Sequence, residues 1–108
     1  MSTEENITIV AFLTGKAGRE EEILKTVASQ TESTRAEDGC INYVFHQRVD
    51  NPREFVLYER WRDLAALQAH LARLQDVYGP PPPGEQGLPA AVLEPFEKFE
   101  GIGLRVIE

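Results

Sequence analysis

Apolar and polar positions along the chain fall into blocks whose period changes several times. Ile7 to Thr14 reads ITIVAFLT, β-branched and apolar almost throughout, which predicts a strand buried on both faces. Gly15 and Gly18 break it. From Arg19 to about Ala36 the period becomes helical. Ile23, Leu24, Val27, Ala28 and Thr31 form the stripe, Glu20, Glu21 and Glu22 occupy a first turn that favours acids, and Gly39 fits the stop. Cys40 to Val49 alternates again, with Ile41, Tyr43, Phe45, Gln47 and Val49 on one face and Asn42, Val44, His46 and Arg48 on the other. Asp50-Asn51-Pro52-Arg53 is a turn by composition and Phe55 to Arg62 a third strand, so the pair forms an antiparallel hairpin.

Asp63 is a good N-cap for a second helix, on which Leu64, Leu67, Leu71, Leu74 and Tyr78 keep helical spacing until Gly79 ends it. Pro80 to Pro83 predicts a stiff extended strap, suited to a lid over a pocket or, better, a brace against a partner subunit. Pro89 opens a short helix carrying Val92 and Leu93, and Pro95 closes it. Phe96 to Glu108 reads as a last strand, with Gly101 and Gly103 marking a bulge or bend. The order β-α-β-β-α-(short α)-β is the split βαβ, ferredoxin-like pattern of an α+β domain, here one domain over residues 1–108. Its antiparallel sheet carries helices on one face, and the uncovered face predicts a homodimer.

Charge narrows the function classes. The 108 residues carry 11 Lys+Arg against 18 Asp+Glu, a formal net charge of −7, which argues against nucleic-acid binding and against a polybasic membrane-surface helix. No apolar run approaches the roughly 20 residues of a bilayer span. Met1 to Asn6 holds two glutamates and no basic residue, unlike a signal peptide. A single cysteine, Cys40, leaves no internal disulfide and reads as a small buried hydrophobe rather than a nucleophile. A cytoplasmic protein is expected.

Few residues carry candidate chemistry. His70 borders the apolar stripe of its helix, where an imidazole is either a packed, hydrogen-bonded core group or a general base in a pocket. Trp61 shares a strand face with Glu59, Leu57 and Phe55. It is either a flat wall for a planar substrate or a core anchor. A carboxylate on such a face needs a partner, for which Arg48 or Arg105 would serve Glu59. Which face of the second strand lines a pocket, Asn42 with His46 or Tyr43 with Phe45, is open. His46 and His70 have no metal-ligand spacing, so no metal is expected. The chain has no Gly-rich phosphate loop and no dinucleotide fingerprint.

Gly39-Cys40, Tyr43, Tyr58-Glu59-Arg60-Trp61 and Ala69-His70-Leu71 recur in the order and elements of the antibiotic biosynthesis monooxygenase family, which the chain resembles over about residues 7–74. GKAGREEEIL is similar to the family's Pro-Gly-Lys-Glu-Glu region, with Ala17 in place of proline. The resemblance implies a dimeric α+β barrel and a quinol monooxygenase-like activity without a tightly bound cofactor, on a phenolic, quinol or anthrone-like substrate and dioxygen. It makes His70 the proton-handling group. Trp61, Tyr43 and Phe12 would shape the slot, Asn42 would add a polar contact, and Glu59 would face the same space. Many relatives carry Pro-His-Phe soon after the helix histidine, whereas this chain reads ARLQDVYGPPPP with no second histidine. Haem-degrading relatives use an Asn on the first strand, and here only Asn6 stands at its very start. An isomerase of a small oxygenated metabolite and a non-catalytic ligand-binding or dimerisation module are the remaining alternatives.

Overall fold

The computed structural model describes residues 6–107, so most of the acidic N-terminal stretch read above lies outside the described residues. Strand β1 (Ile7–Gly15) enters first, followed by α1 (Glu20–Arg35), β2 (Cys40–Gln47), β3 (Glu54–Trp61), α2 (Leu64–Tyr78), α3 (Ala90–Leu93) and β4 (Phe96–Arg105). The strands form one antiparallel sheet in the order β2-β3-β1-β4, the ferredoxin-like arrangement expected from the element order.

Local chemistry sets the boundaries. The β2–β3 turn closes as an Asx turn, with Asn51 Oδ1 accepting from Arg53 N at 3.1 Å. β2 stops at Gln47, and Val49, read above as the end of the Tyr43 face, is fully exposed. Asp63 caps α2 by accepting from Ala66 N at 2.8 Å. Gly79 ends α2 at φ 102°, a conformation that side chains disfavour. The prolines do not stay extended: Glu85 N donates to Pro82 O at 3.0 Å and the chain turns back. Ala90 N then reaches Pro80 O at 2.9 Å, and Gln75 Nε2 donates to Gly87 O at 2.6 Å, tying the loop to α2.

Three other expectations shift. The buried stripe of α1 is Ile23, Gln30 and Thr34 with half-buried Val27, while Leu24 and Ala28 face outward. The polar pair sits over the sheet at helical spacing from Ile23, so the purely apolar pattern misplaced the stripe by a fraction of a turn. The irregularities in pairing fall at Thr14/Gly15 and between Cys40 and Asn42, which turns Ile41 outward. Gly101 and Gly103 pair regularly with Ala11 and Ile9. β1 is not buried throughout on both faces within this chain: on the side away from the helices Thr8 is buried but Phe12 is 48% exposed.

Both helices cover the same face. Ala11, Leu13, Phe55, Leu57 and Trp61 from the sheet pack with Ile23 of α1 and Ala66 of α2 into one core. Removing each large side chain from water contributes roughly 1.5–3 kcal/mol.

Candidate functional site

Between the sheet and the helices the core opens into a cavity of about 380 Å³. Most of its wall is apolar, including Leu13, Leu57, Leu67, Leu71 and Phe96. Its polar side chains include His70 of α2, Glu59 of β3, Tyr43 of β2 and Gln30 of α1. Strand alternation puts Glu59 and Tyr43 on the inner face, and the register pairs them directly across β2 and β3. His70 lies one helical turn before Leu74 and one after Ala66, the buried residues of α2.

His70 is packed on three sides. Its ring lies 4.7 Å from the Trp61 ring, tilted by 34°, and 5.8 Å from the Tyr43 ring. Nδ1 is 2.9 Å from Glu37 Oε2. Trp61, wholly buried, donates from Nε1 to Glu59 Oε1 at 2.8 Å. Tyr43 Oη donates to Gln30 Oε1 at 3.4 Å. Burial raises the Glu59 carboxyl above its usual range, and the Trp61 hydrogen bond offsets part of the rise. Burial also raises the Tyr43 phenol, with the Glu59 charge adding to it. The Cys40 thiol is likewise raised by burial, the opposite of an activated nucleophile.

The candidates named from sequence divide between the two sides of the sheet. His70, Glu59 and Tyr43 line the cavity. Trp61 backs the wall, holding His70 and Glu59 from behind. Phe12 and Asn42 do not belong to the slot. Their positions in β1 and β2 point to the opposite face, where both are exposed. His46 lies on that outer face too, its Nδ1 3.3 Å from Val56 O, so it cannot share a metal with His70. Glu59 is partnered by Trp61 rather than an arginine, because Arg48 is engaged by Asp50 and Glu54 outside the sheet. Sequence reasoning missed Glu37, Arg73 and Gln30. Gln30 was detectable as a polar residue seven positions after Ile23, on the same side of α1. Leu88 of the proline loop lines the cavity as well.

A small α+β sandwich with its cavity on the helix side defines the class of fold. The antibiotic biosynthesis monooxygenase family model matches residues 6–75, well over half the chain, and the protein belongs to that family. The proposed monooxygenase YcnE of Bacillus subtilis is 33% identical over 64 residues, spanning 59% of this chain and 67% of YcnE. Among solved structures, protein SO0527 of Shewanella oneidensis aligns with a TM-score of 0.76 at 27% identity, covering 95% of this chain and 92% of that one. SnoaB, a cofactor-independent oxygenase of Streptomyces nogalater, aligns at 0.75 with 15% identity over 96% and 95% of the two chains, a likeness of fold. Among the described residues no helix is long and apolar enough to cross a membrane.

Proposed function

We propose that this chain is a small monooxygenase that needs no tightly bound cofactor. It acts on a phenolic, quinol or anthrone-like aromatic substrate with dioxygen, as a cytoplasmic homodimer. One observation carries the reading: a largely apolar cavity of about 380 Å³ into which His70 and Glu59 both face. An aromatic substrate supplies its own electrons. Proton removal from an anthrone-type CH₂ gives a delocalised carbanion that reduces dioxygen. One oxygen atom ends in the new C=O and the other leaves as water, so the four electrons balance without a cofactor.

His70 takes the proton. The Glu59 carboxyl, whose charged form burial disfavours, faces the substrate oxygen on which charge collects and in its protonated form donates a hydrogen bond to it. Tyr43 and the leucine wall hold the ring system, and Trp61 keeps the imidazole in place. The family match, and the oxygenase function stated for SnoaB, agree with this reading. A cavity that reaches His70 favours an enzyme over a binding module packed solid with side chains.

Oxygen uptake with a panel of quinols and anthrones tests it. The wild type should consume oxygen with at least one of them, and His70→Ala should lose about 100-fold of the rate, the usual contribution of a general base. No uptake across the panel, or equal rates in the two proteins, would refute it.

A further inference from the structure

Glu37 sits in the turn between α1 and β2, outside every regular element, yet its carboxylate reaches α2. Its Oε2 accepts from Arg73 Nε at 2.6 Å and lies 2.9 Å from His70 Nδ1. Arg73 also reaches Thr34 Oγ1 at 3.5 Å. The His70 and Glu37 side chains are only 3% and 13% exposed. The turn that carries Glu37 is itself held: Glu37 N donates to Thr34 O at 3.0 Å, Cys40 N to Glu37 O at 3.2 Å, and Arg62 N to Gly39 O at 2.8 Å. Gly39 has φ 89°, and a Cβ there would come within 2.5 Å of Ala66 Cβ, so the turn presses directly on α2.

We propose that Glu37, clamped by Arg73, is a positioning residue that keeps a proton on His70 Nδ1 and leaves the Nε2 lone pair free for the cavity. A carboxylate only accepts hydrogen bonds. Oε2 already receives the guanidinium, so the ring nitrogen beside it is a donor. A neutral imidazole has one N–H, and with Nδ1 protonated Nε2 is the base. Among the described residues no protein group bonds Nε2. Trp61, its ring 4.7 Å away and tilted by 34°, packs against the imidazole. The other groups facing the imidazole are Glu59 from β3 and Tyr43 from β2, neither bonded to it. This is the carboxylate–histidine logic of other general bases, assembled here from a turn and a helix 33 positions apart.

The proposal rests on His70 being the proton acceptor of the reaction above, but its test needs no substrate. Long-range ¹H–¹⁵N spectra of the intact protein, at a pH where the ring is neutral, report which nitrogen carries the proton. The signals of His46 are removed with His46→Gln. The wild type should show Nδ1 protonated and Nε2 bare. Arg73 Nε and His70 Nδ1 share one Glu37 oxygen, so the variant that removes the acceptor is Glu37→Leu. There Nδ1–H loses its partner, and the Nε2-protonated tautomer, which a free neutral imidazole side chain prefers, should become the major form. A wild-type ring protonated at Nε2 overturns the proposal, as does a pattern unchanged in Glu37→Leu. The wild-type spectrum is decisive even if the variant fails to fold. With any substrate that turns over, Glu37→Leu should lower kcat about 10- to 100-fold at nearly constant KM. A raised KM with unaltered kcat would count against it. Oxygen uptake can fail while the tautomer stands, so the two readings fail separately.

Discussion

The two faces of the sheet are built from alternate residues of the same strands and end in different states. On the inner face of β3, Phe55, Leu57, Glu59 and Trp61 are all buried; on the outer face Val56, Tyr58 and Arg60 are only half-buried. The inner face takes on Glu59 and Tyr43, with His70 of α2 opposite them, and each has a hydrogen-bond partner. The outer face leaves Phe12, Ile102 and Leu104 each more than 40% exposed, and the buried Nε of Arg60 has no partner among the described residues. A face that its own helices close can carry polar chemistry, because the helices bring the partners. A face left open keeps apolar side chains that a second surface must cover. The outer face is therefore the proposed dimer surface, expected to bury more than about 1,200 Å² in total.

The largest effect expected from this contrast is on stability. Trp61→Ala should cost about 3–5 kcal/mol in urea unfolding, since it empties a fully buried site and strips Glu59 of its donor. Phe12→Ala, on the open face, should change the unfolding of the monomer by about 0.5 kcal/mol or less. Equal costs would erase the distinction between the faces. Next comes association. Phe12→Asp places a charge in the apolar outer patch and should weaken dimerisation about 30-fold or more by analytical ultracentrifugation. A wild type that scatters light as a 12.1 kDa monomer at micromolar concentration would remove the dimer altogether.

The smallest effect is a pH slope. Glu59 has a raised carboxyl in the folded state, so its contribution to stability is complete below the unfolded-state value near 4.5 and is lost as pH rises through the higher folded value. Glu59→Gln should flatten that part of the stability–pH curve while leaving the acid limb set by other carboxylates. A slope identical to wild type would mean that the carboxyl ionises freely inside the cavity.

Most of the fold was legible because each element carries its own period and punctuation. Asp63 and Gly79 bracket α2 as their chemistry requires. The inner face of β2 was not legible. Both of its sides mix aromatic and polar residues, and only the pairing of Tyr43 with Glu59 decides between them. Phe12 misled for a related reason: an all-apolar strand shows no alternation from which to choose a face. His70 could be found from helical spacing. Glu37 could not, because a turn residue has no periodicity and its partner lies 33 positions along the chain. The Glu59–Trp61 bond was local, two residues apart on one face, but salt-bridge reasoning looked for an arginine instead.

The loop after α2 has a consequence for how such proteins diversify. The family model ends at residue 75, and Tyr43, Glu59 and His70 of the cavity all precede that point. Beyond it, Tyr78 adds a phenol and Leu88, Val92, Phe96 and Phe99 add apolar wall. The Pro80–Ala90 hydrogen bond pins the two ends of the intervening segment together. Residues between these anchors can be lengthened, shortened or exchanged without disturbing the elements on either side. Under the proposed function, His70 and Glu59 are fixed before residue 75, while one part of the cavity wall is set after it. A lineage can therefore reshape that end of the cavity by editing a cassette and leave the proposed acid–base pair in place.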